Sequence, residues 1–274
     1  MITLFKLLSA LPLWLLHGMG AALGWLVFLV SATYRRRFID NARLAGLGWQ
    51  QWLGAVGQSG KLLAELPRLW LGRPVHVEWD GAELVDAALA QGRGVVFLTP
   101  HLGCFEIAAQ AYAQRFGQAE KPITVLFRLP RQAWLREVVA ASRQRPGLRT
   151  ALATLPGVKQ MIKALKRGES VGLLPDQVPP KGMGVMAPFF GRDAYTMTLS
   201  VRLVQQTGAC VLLAWGERLS WGRGYRVHVQ AMTLSADLQS AVTEINRAME
   251  ALVLQCPQQY LWSYARYKQP RDLL

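Results

Sequence analysis

The sequence predicts an α/β fold: a mostly parallel central sheet flanked by helices, preceded by an N-terminal hydrophobic membrane-anchoring helix. Three observations predict it. From Leu7 to Tyr34 the chain carries no Lys, Arg, Asp or Glu, and about twenty apolar residues suffice to cross a hydrocarbon core. Downstream, short apolar runs alternate with stretches of helical spacing, the pattern of strand–helix units around a parallel sheet. Hydrophobic residues make up 51% of the 274 and charged residues 18%, a balance that gives a packed core and excludes a disordered chain.

The elements follow in order. Pro12 and His17 interrupt the apolar opening, and Arg35-Arg36-Arg37 close it. If the segment spans, those arginines place the rest of the chain in the cytoplasm. Six of the ten tryptophans (Trp14, Trp25, Trp49, Trp52, Trp70, Trp79) lie in the first 80 residues, and indole favours the membrane–water boundary. A cleavable signal peptide would have a shorter apolar core and a small-residue cleavage site. A buried helix of a soluble domain is the plain alternative. Residues 1–34 are therefore read as an anchor, spanning or lying in the interface, and residues 35–274 as one α/β domain with a helical N-terminal part.

Residues 38–72 read as helices, with Trp49, Trp52, Leu53, Val56 and Leu63 at helical spacing. Strands are expected at His76–Trp79, Gly94–Leu98, Ile123–Phe127, Val171–Leu174, Cys210–Trp215 and Tyr225–Gln230. Helices are expected at Glu83–Gln91, Gly103–Phe116, 131–144, 156–167, 197–207 and Ala236–Leu254.

Composition narrows the partners. Lys and Arg number 31 against 17 Asp and Glu, giving a net charge of +14, which favours anionic partners. Between Lys121 and Arg167 eleven basic residues face one acid, Glu137. A membrane surface or an acidic carrier protein suits this window. Nucleic acid does not, because no zinc finger, aromatic RNA platform or helix-turn-helix spacing accompanies it. Three cysteines, far apart, make no disulfide framework and no zinc pair. Gly57-Gln58-Ser59-Gly60-Lys61 lacks the first glycine and the final hydroxyl of a phosphate loop. No serine-hydrolase elbow is present, and neither a metal nor a cofactor is implied.

The sharpest chemical candidate is Thr99-Pro100-His101-Leu102-Gly103-Cys104-Phe105-Glu106, directly after the buried strand at 94–98. Ligands of open α/β sheets collect at the carboxyl ends of strands. With the next helix starting near Leu102 or Gly103, Glu106 lies about one turn on. It could accept a proton from one imidazole nitrogen and leave the other free as a base. A histidine capping a helix, with Glu106 solvated, is the alternative.

These residues resemble the first block of the glycerolipid acyltransferase superfamily, and most nearly the bacterial lipid A biosynthesis (lauroyl/myristoyl) acyltransferase family. Three further blocks agree in order: Leu126-Phe127-Arg128-Leu129-Pro130-Arg131, Gly168 to Gln177, and Pro188 to Thr196. The tail from Pro257 to Trp262 and the basic, aromatic stretch after it are similar too. Cys104-Phe105 departs from the Asn and Trp common in the family.

The resemblance implies acyl transfer from acyl carrier protein, or from acyl-CoA, to a hydroxyl of an anionic lipid A precursor at the bacterial inner membrane, with the catalytic domain on the cytoplasmic side. It implies His101 as general base with Glu106 orienting it, and Arg128 binding phosphate or the oxyanion. Asp176 and Gln177 would line the site, with Arg192 a further candidate. A lysophospholipid acyltransferase, or a non-catalytic basic protein docking on membranes, are the competing readings.

Overall fold

The computed structural model describes residues 2–117, 121–127 and 145–270. Arg128 and the expected helix at 131–144 lie outside the described residues, as do Arg131, Arg136 and Arg143.

The apolar opening is not one helix. Pro12 lacks a backbone donor and separates α1 (Ile2–Ala10) from α2 (Leu13–Val30). Ser31 ends α2 and caps α3 (Ala32–Leu44), its hydroxyl accepting from the Tyr34 N–H. Then come α4 (Trp49–Ala64) and α5 (Leu66–Leu71). Gly57 and Gly60 sit inside α4 with no phosphate-loop geometry; their missing side chains let α4 and α2 touch backbone to backbone.

The sheet is as expected in kind: β1 (Val77–Asp80), β2 (Val95–Leu98), β3 (Ile123–Phe127), β4 (Leu148–Leu152), β5 (Ser170–Leu173), β8 (Cys210–Arg218) and β9 (Tyr225–Met232) run in the order β1-β9-β8-β2-β5-β3-β4. Every pairing is parallel except β8 with β9. Central β2 lies between β5 and β8 and is buried on both faces, which explains its unbroken apolar run. Its side chains alternate between two cores. Val96 and Leu98 join the core beneath α8 (Leu155–Lys166), α9 (Leu199–Thr207) and α10 (Leu238–Gln255). Val95 and Phe97 join the core beneath α6 (Ala82–Ala90) and α7 (Phe105–Arg115).

Two features escape the sequence pattern. β4 is a strand of mixed polarity at the sheet edge. β6 (Gly184–Phe189) and β7 (Arg192–Met197) form a separate antiparallel hairpin. Its turn places Phe190 at φ 48° and Gly191 at φ 73°, a two-residue left-handed turn that usually announces itself with Asn-Gly.

The basic window is partly structural. Arg145 donates to the Leu69 carbonyl (2.5 Å), the Trp70 carbonyl (3.1 Å) and Gln110 (2.9 Å). Arg149 and Arg167 share the carboxylate of Glu169 at 3.2 and 2.7 Å. These three cations are occupied in holding the sheet edge and are not simply displayed.

Candidate active site

Leu98 of β2 pairs in register with Leu173 of β5. His101 and Asp176 each stand three residues beyond that pair, so parallel strands of equal reach deliver both side chains to one point above the sheet. A Thr99 N–H to Leu173 carbonyl bond of 3.0 Å extends the pairing one step.

The loop bearing His101 is fixed on both sides. Leu102 bridges to Tyr260 and Gly103 to Gly216. Gly103 donates to the Gln259 carbonyl (2.9 Å), Cys104 to the Gly216 carbonyl (2.7 Å), and Leu261 to the His101 carbonyl (3.1 Å). Gly103 has φ 59°, and a Cβ there would collide with the Gly216 carbonyl, so only glycine fits.

Asp176, 2% exposed, accepts from His101 twice: from its backbone N–H at 2.8 Å and from Nδ1 at 2.7 Å. The Tyr260 hydroxyl donates to the same carboxylate at 3.3 Å. Burial pushes the Asp176 carboxyl up, but the charge of His101 and the bonds from it hold the carboxyl below its ordinary value. With the Nδ1 proton facing Asp176, Nε2 is left as the acceptor nitrogen. Gln177 donates its amide N–H to that Nε2 at 2.9 Å. The His101 ring packs against Phe105 with centroids 4.9 Å apart and planes tilted by 60°.

The carboxylate on the imidazole is thus Asp176, in the place the sequence spacing offered to Glu106. Helix α7 begins only at Phe105, after Cys104 as N-cap, so Glu106 lies in its first turn. There it accepts from the Trp70 indole N–H at 3.4 Å. Arg192, exposed, opens β7 with its guanidinium 4.8 Å over the Tyr267 ring, and the structure does not bring it onto His101, Asp176 or Gln177. The tail, noted in the sequence only for its family similarity, supplies further residues: Tyr260 on Asp176, Tyr264 accepting from the Val178 N–H at 3.0 Å, and Arg266, buried and donating to the Tyr195 carbonyl and Thr196. The signals for them were that similarity and a run of aromatic and basic residues.

Beneath the loop lies a second buried cluster. Glu65, fully buried, takes two guanidinium nitrogens of Arg218 at 2.7 and 2.8 Å, the Tyr225 hydroxyl at 2.9 Å and His17 Nε2 at 3.2 Å. Burial alone would raise the Glu65 carboxyl; Arg218 above all reverses this and brings it down to about 2. Arg218 also donates to the Gly103 carbonyl at 2.7 Å, directly under the His101 loop. Burial pushes the Cys104 thiol far above its usual range, which argues against a thiolate nucleophile.

Near the His101 loop, between α7 and the sheet, a narrow apolar cavity of about 50 Å³ is lined by Phe97, Phe105, Ala108, Val125, Gly172 and Ala214 among others. Phe105 belongs to the cavity wall and also touches the imidazole.

Residues 58–269 match the family described as bacterial lipid A biosynthesis acyltransferase. The chain belongs to that family. The match contains His101, Glu106, Asp176, Gln177 and Arg192, and begins after α1 to α3. Family relatives include the lipid A biosynthesis lauroyltransferase of Escherichia coli K12, 29% identical over 69% of this chain and 60% of the relative. The palmitoleoyltransferase of the same strain is 26% identical over 76% of this chain and 68% of the relative. The myristoyltransferase is 26% identical over 68% of this chain and 57% of the relative. The matched stretch therefore spans roughly three fifths to two thirds of the length of these enzymes.

Proposed function

We propose that this chain transfers a fatty acyl group from a thioester donor, acyl carrier protein or acyl-CoA, to a hydroxyl of a lipid A precursor. The reaction takes place at the cytoplasmic side of the bacterial inner membrane. The observation that carries the reading is the Asp176–His101 pair at the carboxyl ends of two neighbouring strands, its basic nitrogen turned away from the carboxylate and its ring against Phe105, which lines an apolar cavity.

A lipid hydroxyl displaces the Gln177 amide from Nε2 and gives its proton to His101 as it attacks the thioester carbonyl. Asp176 keeps the proton on Nδ1 and stabilises the imidazolium as it forms. The displaced Gln177 amide is then a donor beside the reacting oxygens, the placement that stabilises an oxyanion. The tetrahedral intermediate collapses with release of the thiol, which takes back the proton. Glu106, in the first turn of α7, adds a carboxylate beside Trp70, and Arg128 remains the candidate for the acceptor's phosphate.

The test is purified protein with an acyl-carrier-protein donor and a lipid A precursor, read by mass spectrometry for the gain of one acyl unit. A lysophospholipid acceptor is run beside it. Acylation of the lysophospholipid alone overturns the acceptor, and no turnover with either supports the non-catalytic reading.

The cavity is assigned to a few methylenes at one end of the acyl chain, since each buried CH₂ contributes about 0.8 kcal/mol. Gly172 is one of its lining residues. A Cβ there meets only the side chains of Val125 at 3.2 Å and Ile123 at 3.6 Å, so Gly172→Val fills space without striking backbone. The expected result is a change of about tenfold or more in the kcat/KM ratio favouring shorter acyl donors, with the melting temperature as control. Equal loss for long and short donors would remove the chain from this cavity.

A further inference from the structure

The site reading above asks for a membrane but not for a way of meeting it, and resting on that reading the geometry points to an in-plane contact. We propose that α2 lies along the membrane–water interface instead of crossing the bilayer, and that the β8–β9 turn carrying Trp221 enters the same interface beside Trp14. The partner is an anionic phospholipid surface.

The first support is where α2 is fixed. A helix that crosses a bilayer must leave the globular part behind. α2 instead packs along α4 over most of its length. Gly20 and Gly24 meet Gly57 and Gly60 so closely that a Cβ on Gly60 would strike the Gly20 carbonyl, the small-residue packing that brings helix backbones together. Phe28 lies 6.1 Å from Trp52, centroid to centroid, near one end. His17 bonds to Glu65 near the other. α4 carries Gln50, Gln51, Gln58, Ser59 and Lys61 and runs into the buried Glu65–Arg218 pair. To place α2 across hydrocarbon would drag those groups in with it, at a cost of several kcal/mol for each ion alone.

The second support is what α2 leaves outside. Buried Leu13, Leu16, His17, Gly20, Gly24 and Phe28 form one face. The opposite side exposes Trp14, Met19, Leu23, Leu26, Leu29 and Val30, with no charge among them. Such an apolar strip is far wider than the scattered apolar residues of an ordinary surface.

The third is independent of the helix. Trp221 is 89% exposed and sits at φ 61°. A non-glycine residue in that region costs on the order of 1–2 kcal/mol, and here the cost holds an indole out in water. Gly222 packs against the backbone of Trp14, which is itself 60% exposed. Two exposed tryptophans from distant parts of the chain are therefore brought near the start of α2, and indole prefers the headgroup boundary. Exposed cations flank both ends: Arg223 beside Trp221, and Arg36 and Arg37 beyond Val30. A spanning helix gathers its cations on the cytoplasmic side, whereas an in-plane one meets anionic headgroups at both ends.

The experiment adds full-length protein to preformed vesicles of phosphatidylethanolamine and phosphatidylglycerol. In a Cys210→Ser background, Ala10→Cys and Thr33→Cys are labelled from outside with a membrane-impermeant maleimide, before and after detergent. In-plane binding predicts that both label equally without detergent. Protection of Ala10→Cys until detergent is added shows a crossing helix and overturns the proposal, while absence of wild-type binding to the vesicles overturns the membrane reading itself. Trp221→Ser should weaken vesicle partition about tenfold and leave turnover of detergent-dispersed substrate unchanged. Unchanged partition overturns the second contact, and if the same variant instead converts a soluble dimer to monomer, the face joins two copies of the chain.

Discussion

His101→Ala is expected to lower kcat by roughly 10²–10⁴-fold, the range for losing a general base, with folding and vesicle binding retained. The fold should survive because the loop is held by backbone bonds from Gly103, Cys104 and Leu261 rather than by the imidazole. Asp176→Asn should come close to the same loss. An amide can present N–H to Nδ1, which pushes the ring proton to Nε2 and removes the lone pair that accepts from Gln177 and would accept from substrate. The double variant should be hardly worse than the worse single, since the two groups act as one unit. Cys104→Ala should keep most activity, because its buried thiol stays protonated. The measurement is kcat with a saturating acyl donor and circular dichroism as control. Full activity in His101→Ala, or an acyl group trapped on Cys104, would sink the mechanism.

Glu106→Gln is informative beside these variants. Asp176, not Glu106, holds Nδ1, so Asp176→Asn should distort the pH profile of kcat. Glu106→Gln should lower activity while leaving the shape of that profile in place.

Much of this arrangement was legible in the sequence. The unbroken run Val95–Leu98 announced a strand buried on both faces, and His101 followed it at the end where such sheets bind ligands. Family resemblance added Asp176 and Gln177 to the site but gave them only a lining role. Their pairing with His101 depends on the register of β2 with β5, strands about 75 residues apart, and no local spacing carries that information. Glu106 was the natural guess because helical spacing is a local rule that a sequence displays openly. The apolar opening was correctly seen as unusual, yet its partner was hidden. Gly20, Gly24, Gly57 and Gly60 look like weak points in two helices until the helices are laid against one another. The β6–β7 hairpin was missed because Phe190 takes a left-handed conformation that its residue type does not advertise.

The second large effect is expected at the buried pair under the loop. Arg218→Met leaves the Glu65 carboxylate without its cation, in a site with no access to water. Breaking a buried pair on one side costs about 3–5 kcal/mol, so a fall in the denaturation midpoint is expected. Glu65→Leu combined with Arg218→Met removes both charges and should recover much of that stability, because an apolar pair does not have to be desolvated. It should not recover kcat. Arg218 donates to the Gly103 carbonyl at 2.7 Å, and without that donor the loop two residues from His101 loses a fixed point that no packing replaces. Acid denaturation gives the matching pH test. The Glu65 carboxyl lies at about 2 in the fold and near 4.3 when unfolded. Its contribution is therefore complete above about pH 4.3 and is lost as pH falls towards 2, by up to about 3 kcal/mol. Wild-type protein should show this acid limb and the double variant a shallower one. A double variant with full stability and full kcat would make the pair a structural element with no hold on the site, and recovery of stability with kcat still depressed would identify Arg218 as the residue that positions the loop.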